Sequence, residues 1–171
     1  MIAFSWGATR FVILIGPFAV KVARIRGFWA VRRFFTHMRN GEVHDKLRKF
    51  DANPTRAGCK YLFAGVVSNL REVKLWSATQ LAFLTPTPFS FFGLINVQYL
   101  GQAVSQEELD REHPFPELLV GLSEEDAFDL ARAANFCRFE GRVCLCDYGK
   151  EEDFLLLMRV ARVRHVVAHA A

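Results

Sequence analysis

Asp147 closes an apolar run, Val143-Cys-Leu-Cys146, and is followed by Tyr148-Gly149. A carboxylate at the mouth of a buried strand, with a glycine behind it that lets the chain turn sharply, can hold a divalent cation against phosphate oxygens. Asn135 begins the neighbouring run Asn135-Phe-Cys-Arg-Phe139, and Glu140-Gly141 between the two runs reads as a tight hairpin turn, because glycine tolerates positive φ. Folded back in this way, Asn135 lies close to Asp147. Lys21 stands inside Phe18-Ala-Val-Lys-Val-Ala23, where a cation is unfavourable without a partner. Glu72 falls within Asn69-Leu-Arg-Glu-Val-Lys-Leu-Trp76. Each has an ordinary counterpart: Asp-Tyr-Gly also ends plain strands, a strand lysine can point to water, and Glu72 with Arg71 and Lys74 suits a solvated helix face.

Other chemistry is less supported. His165 and His169 have a spacing that can bind zinc, but Val166 stands where H-E-x-x-H needs its glutamate, so surface histidines are expected. Cys144 and Cys146 share one face of a strand and Cys137 lies across the hairpin; such thiols are expected to pack as small hydrophobes. No Ser-His-Asp order, G-x-S-x-G elbow or Walker-type phosphate loop occurs.

The elements that must position these residues follow from periodicity and turn signals. Residues 9–15 and 18–24 are β-branched and aromatic, and Gly16-Pro17 joins them as an antiparallel hairpin. Phe28, Val31, Phe35 and Met38 recur at helical spacing with Arg32, Arg33 and Arg39 between them, predicting a basic amphipathic helix over 27–39. The spacing predicts a long helix over 60–80, with Leu62, Val66, Leu70, Val73 and Trp76 on or near one face. Strands follow over 89–92 and 94–100, turning at Gly93. Ser105-Gln-Glu-Glu108 is a capping-box signature for a short acidic helix ending near Pro114, and Ser123 starts another that carries Ala127 to Ala134. A closing amphipathic helix is expected over 151–168. The fold class is therefore α+β: an antiparallel sheet of about five strands backed by helix 60–80, with hairpin 136–147 below it.

Composition bounds the function classes. With 51% hydrophobic residues in 171, the chain can bury a sizeable core and is no disordered tail. Seventeen Phe imply either dense packing or an apolar surface that docks on something. The cysteines at 59, 137, 144 and 146 form no C-x-x-C pair, and the first residues lack the order of a signal peptide, so a reducing, cytoplasmic setting is expected. The longest apolar run, Phe11 to Val20, is interrupted by Gly16-Pro17 and is shorter than the roughly 20 residues of a bilayer span. Charge is strongly segregated: residues 21–60 carry eleven Lys or Arg against three acids, and residues 105–130 carry nine acids against Arg111 alone. Such blocks either face each other or address different partners.

Taken together, these residues resemble the protein-kinase-like fold, in the small atypical bacterial form that includes the lipopolysaccharide-kinase-like and aminoglycoside-phosphotransferase-like branches. Ala19-Val-Lys21-Val22 is similar to the V-A-I-K strand, Glu72 follows it on a helix ahead of two strands, and Asn135 with Asp147-Tyr148-Gly149 resembles the catalytic-loop Asn and the D-F-G motif. The resemblance implies that Lys21 contacts nucleotide phosphates and pairs with Glu72. It also implies that Asn135 and Asp147 share Mg or Mn on ATP, and that backbone groups of the hinge Gln98 to Gly101, Leu100 among them, bind adenine. Residues 1–100 would be an N-lobe with a basic insertion at 27–60, and 101–171 a reduced C-lobe. The chain departs from the family in three places. Leu130 stands where the catalytic Asp belongs, leaving Asp129 as the nearby candidate base; Gly7 alone represents the Gly-rich loop; and 22 residues after Gly149 are too few for a full C-lobe. The expectation is a nucleotide-binding pseudokinase or minimal atypical kinase. The alternative is a non-enzymatic docking protein whose helix 27–39 engages an anionic membrane surface, an acidic protein or nucleic acid.

Overall fold

A computed structural model of the chain describes residues 2–7, 9–25, 62–120, 130–150 and 153–161. The basic helix expected over 27–39, Cys59, Asp129, His165 and His169 lie outside the described residues.

Five strands form an antiparallel sheet in the order β1-β2-β3-β5-β4: β1 (Ile2–Trp6), β2 (Arg10–Ile15), β3 (Phe18–Ala23), β4 (Phe89–Phe91) and β5 (Ile95–Tyr99). Gly16, at φ 55°, allows the two-residue turn that sets Ile15 opposite Phe18. That turn fixes the register, because a slip of one residue would exchange the two faces of the sheet. One cross-strand row reads Phe4, Ile13, Val20, Val97, Phe89, and the next, on the opposite face, reads Ser5, Val12, Lys21, Asn96, Ser90. The first row belongs to an apolar outward face. The second belongs to a face that carries Lys21, Asn96 and, two residues along β2 from Val12, Arg10.

Helix α1 (Ala64–Thr79) packs on the polar face, and its buried positions are Gly65, Asn69, Glu72 and Leu75. They recur at helical spacing and make one stripe. This corrects the apolar face expected over Leu62, Val66, Leu70, Val73 and Trp76, of which Leu70 is 45% exposed. Two forces rotate the helix. Glu72 must meet the cations of the sheet, and Gly65 lets the helix backbone approach so closely that an added Cβ would collide with the Thr9 carbonyl.

A second, three-stranded sheet has the order β6 (Gln102–Ala103), β7 (Phe136–Phe139), β8 (Arg142–Leu145). Glu140 and Gly141 both take positive φ in the two-residue turn of the β7–β8 hairpin, as read from the sequence. The segment 83–85 runs beside β8: Leu145 N–H donates to the Phe83 carbonyl at 2.8 Å, and Thr85 N–H to the Leu145 carbonyl at 2.9 Å. Helix α2 (Gln106–Glu112) opens with the expected capping box between Ser105 and Glu108. The helix expected to carry Ala127 to Ala134 does not extend through its described part: 130–131 are turn, and Ala133–Asn135 is a 3₁₀ turn. A last helix, α3, covers 153–161 of the expected closing helix. The hydrophobic core lies between these elements, where Leu75, Leu84, Leu109, Phe115, Leu145 and Leu157 are almost wholly buried. Leu130 belongs to this core.

Candidate functional site

Where the polar face of the large sheet meets α1 and the end of β8, four charges come together. Lys21 Nζ donates to Glu72 Oε1 at 2.9 Å and to the Cys146 carbonyl at 2.6 Å. Arg10 Nη1 donates to the same Glu72 oxygen at 2.7 Å and to Asn69 Oδ1 at 3.2 Å, and Arg10 Nη2 donates to Asp147 Oδ1 at 2.5 Å. Arg10, Lys21 and Glu72 are buried, whereas about half of the Asp147 side-chain surface is exposed. Two cations thus face two carboxylates, which is the condition for burying any of them. Glu72 Oε2 has no hydrogen-bond partner. Burial opposes the Arg10 charge, but Glu72 and Asp147 outweigh it and hold its pKa above the ordinary guanidinium value. At Asp147 burial pulls the pKa upward, and the Arg10 and Lys21 charges overcome it, so the carboxyl titrates below its ordinary value.

Asn69 fixes the helix to the sheet, donating to the Gly93 carbonyl at 2.9 Å and to the Lys21 carbonyl at 3.2 Å; Asn96 Nδ2 returns a bond to the Asn69 carbonyl at 2.8 Å. Asp147 is held from the other side. Its N–H and that of Cys146 donate to the Asn135 carbonyl at 3.3 and 2.8 Å, and Tyr148, wholly buried, donates from its hydroxyl to the Thr85 carbonyl at 2.8 Å. Gly149 lies so near α1 that an added Cβ would stand 2.8 Å from the Ser68 carbonyl oxygen. The Asp-Tyr-Gly segment is thus wedged between the helix and the 83–85 strand.

Toward β6, Gln98 is buried and its Nε2 donates to the Thr85 carbonyl and Thr87 Oγ1, both at 3.4 Å. Leu100 N–H donates to the Pro17 carbonyl at 2.7 Å and Tyr99 N–H to Pro86 at 3.1 Å, so these two backbone donors are already engaged. Cys137 lies just beneath Gly101, where an added Cβ would stand 2.6 Å from its sulfur. The hydrogen bond from Cys146 is the main reason the Cys137 thiol is pushed down, and the same bond, with burial, pushes Cys146 up.

Lys21, Glu72, Asn135 and Asp147 are therefore brought to one place, with Gln98 and Leu100 at the end of β5, where the chain leads to β6. Tyr148 stands in the sequence only as the middle of the Asp-Tyr-Gly motif, whereas Arg10 and Asn69 are central and are not among the residues the sequence points to. Arg10 was within reach of it: with Gly16-Pro17 as a two-residue turn, Val12 opposes Lys21, and Arg10 shares their face. The fit to a divalent cation is poor. Asp147 Oδ1 and Glu72 Oε1 are both taken by cations, and the described residues contain no group of three or more His, Cys, Asp or Glu able to hold a metal. A cavity of about 560 Å³ lies apart from these charges, lined by Trp76, Pro86, Tyr99, Phe139 and Arg142 among others. Compared with known proteins, the chain matches no family model, no curated protein and no solved structure.

Proposed function

We propose that the chain is a kinase-like nucleotide-binding protein, a pseudokinase in which Lys21 meets the phosphates of ATP and Glu72 orients Lys21. The observation that carries this reading is the buried Lys21–Glu72 pair, 2.9 Å between a central strand and the only helix described between β3 and β4, with Asp147 joined to it through Arg10. The strand order, in which β5 lies between β3 and β4, supports it. Phosphoryl transfer is not part of the proposal: Leu130, at the position where a base would position the acceptor hydroxyl, is a core residue, and Asp129 lies outside the described residues. Calorimetric melting with ATP tests the reading. A ligand at 100 times its Kd adds about 2.7 kcal/mol, or a shift of roughly 5–10 °C at this size. Lys21→Met should remove the shift; a chain whose melting no nucleotide changes does not have this function.

A second reading, a docking protein, is favoured by the outward face of the large sheet. There Ile2, Phe4 and Trp6 are 63%, 66% and 76% exposed, more apolar surface than one strand of a soluble protein usually shows. Co-sedimentation with anionic vesicles that Trp6→Ser abolishes would favour it.

A further inference from the structure

Asp147 is half-exposed at the rim of the cleft, but the oxygen it turns inward is held by Arg10 at 2.5 Å, and the same guanidinium reaches Glu72 at 2.7 Å. Arg10 leaves β2 two residues before Val12, the cross-strand neighbour of Lys21, so its head enters the space between Lys21, α1 and the Asp-Tyr-Gly segment. We propose that Arg10 takes the place of a divalent cation, so that the cleft binds nucleotide phosphates without metal. This rests on the nucleotide-binding reading above.

Three observations carry it. A guanidinium has five donors, and only some are spent on Asn69, Glu72 and Asp147, so Arg10 keeps donors for a phosphate oxygen. Two cations and two carboxylates already balance, and a divalent ion placed beside Asp147 would meet Arg10 and Lys21 at close range, where the inward oxygen of Asp147 and Glu72 Oε1 already accept from them and Glu72 Oε2 alone has no partner. Finally, Arg10 is not a surface residue swung inward by chance: it is 8% exposed, on a strand whose register puts it on the buried face, and Asn69 holds its Nη1 from the helix. A metal ion serves such a cleft by bridging carboxylate and phosphate. Arg10 bridges in the same sense, donating to Asp147 on one side and to phosphate on the other.

The test is titration calorimetry of the full chain with ATP, once in EDTA and once in excess Mg²⁺. The expected result is a Kd in EDTA no more than about threefold weaker than with Mg²⁺. Arg10→Gln should weaken binding in EDTA by about tenfold or more and make it respond to Mg²⁺, because Asp147 is then released. Should Arg10→Gln fail to fold, the two titrations of the unmodified chain decide by themselves: Kd values within about threefold of each other support the proposal. ATP binding that EDTA abolishes, or weakens by more than about tenfold, overturns it and leaves the nucleotide-binding reading standing. Absence of ATP binding in both buffers overturns both.

Discussion

Glu72 Oε1 accepts from Arg10 and Lys21 together, so a single buried oxygen is shared by two cations, and Asp147 supplies the second negative charge. Removing the carboxylate leaves Lys21 without a paired carboxylate and Arg10 with Asp147 alone, and one-sided loss of a buried pair costs about 3–5 kcal/mol. Glu72→Gln should therefore lose that much in urea unfolding, whereas Glu117→Gln, on the exposed 3₁₀ turn Pro116–Leu118, should stay within about 0.5 kcal/mol. Equal small losses from both would mean the network carries no stability. Asp147 makes the same network sensitive to acid. Its folded pKa lies below the ordinary 3.8, so its contribution is complete above that value and is lost as pH falls through the lower, folded one. Asp147→Asn removes this titration, and the difference in stability between parent and variant should shrink on acidification from about pH 5 to 2. A difference independent of pH would show that the Arg10–Asp147 contact does not depend on charge.

At the scale of elements, α1 shows how a helix can be legible and its rotation not. Its existence follows from periodicity, and the observed Ala64–Thr79 lies inside the expected 60–80. Its docking is set by Gly65, Asn69 and Glu72, none of which an apolar pattern would select. The strands were legible for the opposite reason: two-residue turns at Gly16-Pro17 and Glu140-Gly141 fix both pairing and register without reference to the rest of the chain. Asn135 and Asp147 are legible because that hairpin returns the chain on itself; Arg10 is less so, because β2 reads as an apolar strand and only its parity with the partner of Lys21 turns Arg10 inward. Gly65 offers the sharpest check on the docking. A methyl group there meets the Thr9 carbonyl, backbone that cannot swing aside, and overpacking of this kind costs about 1–3 kcal/mol. On the proposed nucleotide-binding reading Gly65→Ala should also weaken ATP binding by displacing Glu72, while Ala78→Gly, near the exposed end of the same helix, should cost only about 1 kcal/mol of propensity and leave any binding unchanged.

Across the whole molecule the large sheet is turned opposite to the usual arrangement. Charged and amide side chains line the face that packs against α1, and the row Phe4, Ile13, Val20, Val97, Phe89 lies on the other. With the cations buried there, the strict alternation of a strand sends their aromatic neighbours outward. Among the described residues no helix is long and apolar enough to cross a membrane, so this face is not part of a helical span. Its exposure reaches 66% at Phe4 and 76% at Trp6. The native chain should consequently bind the dye ANS while keeping a fixed near-ultraviolet dichroism spectrum, although such dye binding ordinarily marks a state whose tertiary packing has dissolved. Trp6→Ser with Phe4→Ser should dim the dye without lowering the calorimetric melting temperature. Dye-reported melting of this protein would start bright and fall on heating, an inverted trace.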